Sequence, residues 1–461
     1  MEDTKILFLL IMKGLDIMNS INDTIVALSS GAIKSAICVI RVSGNNSFEI
    51  VDSIFSNKKV HEHQRAYYGY IKENDEVIDE VMVTYFKGPH SFTTEDMVEI
   101  SCHGNLYIVS KIIEIIISKG ARLAEHGEFT KRAFLFNRID LVNAESINDL
   151  INANSKQAVK LALSGLKGLT SEYVFKLSDG LLDVISQIDV NIDYPEYDDI
   201  EQLRYDSVLP SINDFLMQLD KVIDDTKKGQ TIKDGINTVI IGRPNVGKSS
   251  LLNALLKEDK AIVTNIAGTT RDIVEGKIDF YGITLNLIDT AGIHSSEDYI
   301  EQIGINKSLE SLKKAQLVLL VLDGSEELTS QDEELLEMTK EYKRIVVINK
   351  MDSNLKINRE DAVYISSLNK DLKQLEVRIK EMFNELSYND EPLLFNARQL
   401  GLLNKAKEHL LEAKTQAEMG QVIDLIEIDL KQAYSCILEI LGKKNKEGLL
   451  DNIFSKFCLG K

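Results

Sequence analysis

Cysteine is scarce in this sequence. Cys38, Cys102, Cys436 and Cys458 lie far apart with no CxxC pair, which excludes a disulfide scaffold or a zinc ribbon and fits a reducing cytoplasm. Long apolar runs are also missing. The longest near the N-terminus is Ile6 to Met12, far short of the roughly 20 residues that span a bilayer, and Glu2 and Asp3 spoil a signal peptide. The expectation is a cytoplasmic protein with no membrane partner. Basic charge is in deficit: 53 Lys plus Arg against 72 Asp plus Glu leave a net −19, so any nucleic acid must find a local basic patch or a basic partner. No fixed-period repeat and no low-complexity linker is visible.

What is present is globular. Hydrophobic residues at 44% and charged residues at 27% of 461 exclude wholesale disorder or a fibre, and at roughly 150 residues per domain the length predicts about three domains. From Asp23 to Gly104 short β-like runs, Thr24–Leu28, Ala36–Val42 and Val81–Phe86, are punctuated by Ser-Gly, Lys-Gly-Pro and His-Gly, with a helix expected over Asn105 to Lys119. From Arg138 to Lys228 apolar residues recur at three and four, as in Leu161, Leu166, Leu169 and then Leu181, Val184, Ile185, Ile188, which predicts long amphipathic helices. From Thr238 to about Phe383 buried parallel-type strands alternate with helical stretches, and helical periodicity returns after Pro392.

These changes of period predict a multidomain α/β chain. Residues 1–17 read as an extension or a mis-assigned start ahead of Met18, and 18–137 as an N-terminal α+β domain. An α-helical domain is built from 138–232 and 386–461, with an α/β domain inserted at 233–385.

The chemistry concentrates in that insert. After the strand Thr238–Ile241 stands Gly242-Arg243-Pro244-Asn245-Val246-Gly247-Lys248-Ser249, and Ser250 continues into the helix SSLLNALL. This is a phosphate loop: backbone N–H groups cradle the phosphates, Lys248 reaches the β and γ oxygens, and Ser249 ligates Mg²⁺. The strand LNLID then delivers Asp289, Thr290, Ala291 and Gly292, a carboxylate for Mg²⁺ and an amide for the γ-phosphate. VVINKMD supplies Asn349, Lys350, Met351 and Asp352, and Asp352 can accept both donors of a guanine edge, which makes GTP the nucleotide and the protein a GTPase. Ser366, Ser367 and Leu368 form the loop expected to back the base.

Between the first two motifs Thr264, Asn265, Ile266, Ala267, Gly268, Thr269 and Thr270 form a loop in which Thr270 is the expected γ-phosphate sensor. Ile293 stands where Ras-type enzymes carry a water-orienting Gln. The water must be placed otherwise, and Glu297, Asp298 and Glu301 are the nearby acids, each taken alone a solvated loop charge. Arg243 and Arg271 are near, yet no arginine finger is evident. Asn245 can instead recruit a monovalent cation.

The phosphate loop with AIVTNIAGTTRD and DTAG, the closing Phe457-Cys458-Leu459-Gly460-Lys461, and the stretches Arg41-Val42-Ser43-Gly44, Ser91-Phe92-Thr93 and Gly127-Glu128-Phe129-Thr130 resemble the MnmE (TrmE) family of tRNA-modifying GTPases over about residues 22–461. The resemblance implies a Ras-like G domain in a homodimer. It also implies a partnership with the FAD enzyme MnmG in a heterotetramer that installs an aminomethyl-type group on the wobble uridine of tRNA.

It implies 5-formyltetrahydrofolate bound by Arg41, Glu99, Arg138 and Lys461 of the N-terminal domain, with Cys458 near the folate and able to join the modification chemistry. It further implies potassium-dependent hydrolysis when G domains meet face to face. K⁺ would be held by Asn245, Thr264, Ile266 and Thr269, Mg²⁺ by Ser249 and Thr270, and the catalytic acid would be Glu301 in the EQIG context. Three departures touch the fine geometry of the folate site: Arg138 stands for a usual Lys, Leu459 for a usual Ile, and SSGAIKSAIC for a Gly-rich run. Without the motif, Arg41 and Glu99 would read as surface ion-pair members.

Two other classes compete. One is a regulatory or ribosome-assembly GTPase with flanking binding modules, but Der-type chains carry two G domains and Era-type chains a KH module with a GXXG loop. The other is an acidic scaffold, against which the intact Lys248, Asp289 and NKMD set speaks. Cys38, Cys102 and Cys436 read as core, and the histidines show no metal spacing.

Overall fold

The computed structural model describes residues 23–57, 62–193, 205–257, 274–280, 282–288, 312–384, 393–443 and 449–461. Two compact units emerge, residues 1–148 with 441–461, and 149–440. The first holds a six-stranded sheet of β1 Ile25–Leu28, β2 Ile37–Ser43, β3 Ala66–Glu73, β4 Glu76–Phe86, β5 Met97–His103 and β6 Arg122–Leu123, in the order β3-β4-β5-β2-β1-β6. Only the β1/β6 pair is parallel.

Strand alternation divides this sheet's residues between two faces. Ile40, Val42, Val98 and Ile100 pack in one core with Ile50, Val51 and Ile54 of α1 (Ser47–Ile54) and Val109, Ile112, Ile115 and Ile116 of α2 (Leu106–Ser118). Asn105 caps α2 by accepting from Tyr107 N at 2.9 Å. Arg41 and Glu99, between those apolar neighbours, belong to the opposite face and are direct cross-strand partners on β2 and β5. On that face Ile25 and Ala27 pack with Phe129 of α3 (Glu128–Leu135). Phe134, Leu141 and Ala144 join Phe454 and Phe457, which binds the first turn of α4 (Leu141–Asn152), together with α13 (Leu449–Phe454), into the same unit.

Arg132 of α3 is almost fully buried, and its position follows from charge. Its guanidinium donates to Asp23 Oδ1 at 2.6 Å, Glu128 Oε1 at 3.0 Å and Glu95 Oε1 at 3.0 Å, and Arg122 donates to the same Glu128 at 2.6 Å. A cation there without its carboxylates would be costly. The network therefore fixes α3 to the edge of the sheet.

In the second unit α5 (Lys156–Leu166), α6 (Leu169–Asp193) and α7 (Tyr205–Asp234) precede a six-stranded sheet, and α11 (Ala397–Glu418) and α12 (Ile423–Ile440) follow it. Buried alanines Ala406, Ala413, Ala417 and Ala433 let α11 approach its neighbours closely alongside Leu403, Leu410, Leu430 and Ile437.

That sheet comprises β7 Ile236–Ile241, β8 Val274–Phe280, β9 Ile283–Ile288, β10 Leu317–Asp323, β11 Arg344–Asn349 and β12 Ala362–Tyr364. It has the order β12-β11-β10-β7-β9-β8, with β8 alone antiparallel. Helices α8 (Lys248–Lys257), α9 (Ser330–Met338) and α10 (Lys373–Met382) complete it. Every residue of β10 is buried. Leu317, Leu319 and Val321 enter one core, and Val318, Leu320 and Leu322 enter the other, as a parallel sheet covered on both faces requires. The chain is multidomain α/β, with the P-loop sheet inserted in sequence between helices.

Candidate functional site

In a doubly wound sheet the ligand crevice lies outside the carboxyl ends of the strands. β7 ends at Ile241 and the loop 242–247 leads into α8 at Lys248. Val246 is fully buried and anchors the loop, while Asn245 and Gly247 take left-handed backbone, φ 63° and 97°. At Gly247 a side chain is excluded twice over, since a Cβ would also sit 2.1 Å from Asn349 Nδ2. The Lys248 ammonium donates to the carbonyls of Gly242 and Arg243, each at 2.8 Å. Burial pushes its pKa below the usual lysine value. Ser249 and Ser250 occupy the first turn of α8, where N–H groups lack intrahelical partners and the helix dipole favours an anion. Arg243 pairs with Glu326 at 2.5 Å and Asp332 at 3.1 Å.

β11 delivers Asn349, whose amide bridges two loops. Nδ2 donates to the Val246 carbonyl at 3.0 Å, and Oδ1 accepts from Ser367 N at 3.1 Å. Lys350, at φ 65°, places its ammonium 2.5 Å from Asp323 Oδ2 at the end of β10. Burial alone would raise the Asp323 pKa, but the bonds from Lys350 and Ser325 outweigh it and hold the carboxyl below its ordinary value. Met351 N donates to Ile365 O at 3.0 Å, and Ser366 Oγ donates to Asp352 Oδ1, fixing that carboxylate. Leu368 is 82% exposed.

The structure thus brings Asn245 to Ser250, Asn349 to Asp352 and Ser366 to Leu368 to one edge of the sheet. Asp323 was not foreseen; its signal was the acidic end of the apolar strand LVLLVLD. Thr264, Asn265, Ile266, Ala267, Gly268, Thr269, Thr270, Arg271, Asp289, Thr290, Ala291, Gly292, Ile293, Glu297, Asp298 and Glu301 lie outside the described residues, as does 1–17.

The second site belongs to the first unit. Arg41 Nη2 and Nε donate to Glu99 Oε1 at 2.7 and 3.1 Å. The Arg41 guanidinium lies 5.0 Å over the Phe92 ring and 5.6 Å over Phe129, and Arg138 sits 4.9 Å over Phe92 while donating to the Phe92 carbonyl at 2.9 Å. Burial, then the neighbouring Arg41 charge, lowers the Arg138 pKa. Arg41, Glu99, Arg138, Phe92, His90 and Met97 are among the residues lining a cavity of about 530 Å³. Phe92 lies in the Ser91-Phe92-Thr93 stretch of the resemblance, but its contact with two guanidiniums carried no signal in the sequence.

The C-terminal tail is stitched to the same face. Gly127 N donates to Cys458 O at 3.3 Å, Ser29 Oγ to Gly460 O at 3.1 Å and Phe129 N to Lys461 O at 3.2 Å, with Arg41 Nη1 3.5 Å from Gly460 O. Gly460 has φ 85°, and a Cβ there would lie 2.2 Å from Leu28 O. Lys461 is placed by its backbone and is not among the lining residues of the cavity. Cys458 is exposed. Cys38 and Cys102 are buried, and burial, then Asp79, pushes the Cys102 thiol up to about 12. Cys436 is only half-buried on α12, so its expected core position is corrected: helical periodicity puts it at the margin of the stripe formed by Ala433, Ile437 and Ile440. Among the described residues no helix is long and apolar enough to cross a membrane.

Comparison with known proteins matches residues 24–138 to the GTP-binding protein TrmE N-terminus and residues 141–458 to the MnmE helical domain. The tRNA modification GTPase MnmE of Lactiplantibacillus plantarum is 43% identical over 457 residues, 95% of this chain and 98% of that protein. That of Streptococcus pneumoniae is 44% identical over 452 residues, 95% and 99% respectively. Among solved structures the G domain of the T. maritima FeoB iron transporter matches 33% of this chain and 99% of its own at 30% identity, with a TM-score of 0.24. The chain belongs to the MnmE (TrmE) family of tRNA modification GTPases.

Proposed function

We propose that the chain hydrolyses GTP at the 242–250 loop and couples this to modification of the wobble uridine of tRNA in the cytoplasm, as a homodimer with an MnmG-type FAD partner in a heterotetramer. The observation that carries the reading is Asn349 joining the phosphate loop to the Ser366–Leu368 loop. That pair of bonds supports a reading in which the start of α8 binds phosphate and Asp352 reads guanine. Lys248, already desolvated, brings positive charge to the β and γ oxygens, and Asp352, oriented by Ser366, accepts the guanine N–H groups.

The hard oxygen donors of Ser249 and Asn245 suit Mg²⁺ and K⁺ respectively. Thr270 completes the magnesium set, and Thr264, Ile266 and Thr269 the potassium set. Glu301 is the acid that places the attacking water. In the N-terminal domain the donor set of the cavity, Glu99 with two guanidiniums and the Phe92 face, fits a planar aminopyrimidine with an anionic tail, the chemistry of 5-formyltetrahydrofolate. Arg41, Glu99, Arg138 and Lys461 hold it, and Cys458, accessible at the tail, acts in the transfer. When bound, the two cations supply countercharge to the phosphates and the folate supplies the one-carbon unit.

The test is the nucleoside profile of bulk tRNA from cells lacking this chain, with and without a plasmid copy. Loss of the modified wobble uridine with recovery on complementation is expected. An unchanged profile overturns the tRNA assignment.

A further inference from the structure

We propose that His409, Glu412 and Asp429 form a binding site for a divalent metal of the zinc class on the α11–α12 pair, far in sequence from the nucleotide loop. His409 and Glu412 are three apart on α11 and so share one face, while Asp429 comes from α12 across the short turn at Gly420. Their three ligand atoms lie within 4.8 Å of one another.

The distances are those of ligands around an ion rather than of hydrogen-bonded partners. His409 Nδ1 stands 3.4 Å from Glu412 Oε2 and 3.6 Å from Asp429 Oδ1. Imidazolium bonds to carboxylate are about 2.7–2.9 Å, whereas bonds of about 2.1 Å in tetrahedral geometry put neighbouring ligand atoms about 3.4 Å apart. His409 Nδ1 is also shut off from solvent without making a hydrogen bond, an orphan that a metal ion would satisfy.

The surroundings support the carboxylate in this role. Gln416, one turn along α11, donates through Nε2 to Asp429 Oδ2 at 2.9 Å and leaves Oδ1 on the histidine side, as outer partners of metal-binding carboxylates do. Glu412 is 63% exposed against 13% for Asp429, so an ion enters from the Glu412 side. An imidazole with two carboxylates favours zinc-class ions over Mg²⁺ and leaves a fourth position to water. Sequence spacing hides the set because Asp429 is supplied by a second helix.

The experiment uses the full-length, nucleotide-free chain stripped with a chelator. Calorimetric titration with Zn²⁺, and with Co²⁺ followed by its visible absorption, is expected to give one site per chain with a tetrahedral-type Co²⁺ spectrum. Asp429→Asn, close to isosteric, and Glu412→Gln, on the exposed side where misfolding is not expected, should each weaken binding at least tenfold with an unchanged circular dichroism spectrum. No uptake by the parent protein, or parental affinity in both variants, overturns the site.

Discussion

Asn349 Nδ2 donates to the Val246 carbonyl at 3.0 Å inside the sheet edge, so the residue that begins the Asn-Lys-Met-Asp segment also holds the 242–247 loop in shape. Replacing it with Ala strands both the Val246 carbonyl and the Ser367 N–H, each at a cost of about 1–3 kcal/mol when buried. Asn349→Ala should therefore lower the thermal midpoint of the G domain by several degrees and weaken GDP and GTP about tenfold or more. Gly247→Ala, which forces a Cβ against the same amide, should lose nucleotide binding outright. Titration with a fluorescent guanine nucleotide checks both, and parental affinity in either variant contradicts the bridge.

Asp352 is pinned by Ser366, and in the proposed function it carries the base preference. Asp352→Asn turns one of the two acceptor oxygens into a donor and should weaken GTP by about 10- to 100-fold, the scale of one bidentate base contact, while favouring xanthosine triphosphate. Competition between the two nucleotides reads this directly. Unchanged preference for GTP rejects the assignment.

The 242–250, 349–352 and 366–368 segments were legible as motifs because each is contiguous and lies at or just past the end of a strand. The helix expected over Asn105 to Lys119 is observed at Leu106–Ser118 for similar reasons: a capping Asn and a regular apolar stripe. What the sequence hid is assembled from distant segments. Asp323 meets Lys350 only because β10 and β11 are paired in register. Arg132 reads as a solvated helix charge until Asp23, Glu95 and Glu128 converge on it, and the Phe92 ring gains its meaning only between Arg41 and Arg138.

Within the Arg132 network, Glu128 gives the N-terminal domain a pH dependence of one sign, opposite to that of Glu95, whose pKa burial raises. Burial pushes Glu128 toward a higher pKa, but bonds from Arg122, the Glu125 N–H and the charge of Arg132 outweigh it, so its folded pKa lies below the ordinary glutamate range. A depressed carboxylate contributes stability above its unfolded pKa and loses it as pH falls through the folded value. Glu128→Gln should thus cost about 3 kcal/mol near neutral pH, the scale of breaking a buried ion pair. The gap from the parent should narrow below about pH 4.5. Urea unfolding at several pH values measures it. A gap that stays constant into acid would show that packing, not charge, is lost.

Hydrolysis should respond to the cation and to Glu301 separately. Ile293 replaces the usual Gln, so water placement and transition-state countercharge must come from elsewhere, and in finger-dependent enzymes that countercharge alone is worth about 10³–10⁵ in rate. Turnover should rise at least tenfold in potassium over sodium, together with pairing of G domains in the presence of GDP and aluminium fluoride. Glu301→Ala should bind nucleotide and pair, yet hydrolyse slowly. Equal rates in the two salts discard the cation, and a fully active Glu301→Ala discards the acid.

The C-terminal tail offers the sharpest separation of the two sites. Its carbonyls are held by Ser29, Gly127 and Phe129, and Gly460 reaches Arg41, the residue that also grips Glu99. Deleting Cys458 to Lys461 removes these acceptors, the Gly460 carbonyl beside Arg41 among them, while leaving residues 242–250 and 349–368 untouched. Gly460→Ala does so by a single Cβ, because its left-handed φ and the 2.2 Å approach to Leu28 O leave no room for one. Both changes, and Arg41→Ala or Glu99→Ala, should weaken 5-formyltetrahydrofolate at least tenfold and abolish wobble-uridine modification while GTP affinity stays at the parental value. Cys458→Ser divides the tail's two roles: it should keep folate affinity and lose modification. Calorimetry with the folate and a tRNA nucleoside profile read the two separately. Normal folate affinity in Arg41→Ala and Glu99→Ala would remove the cavity from the site, and full modification by the truncated chain would reduce the tail to packing.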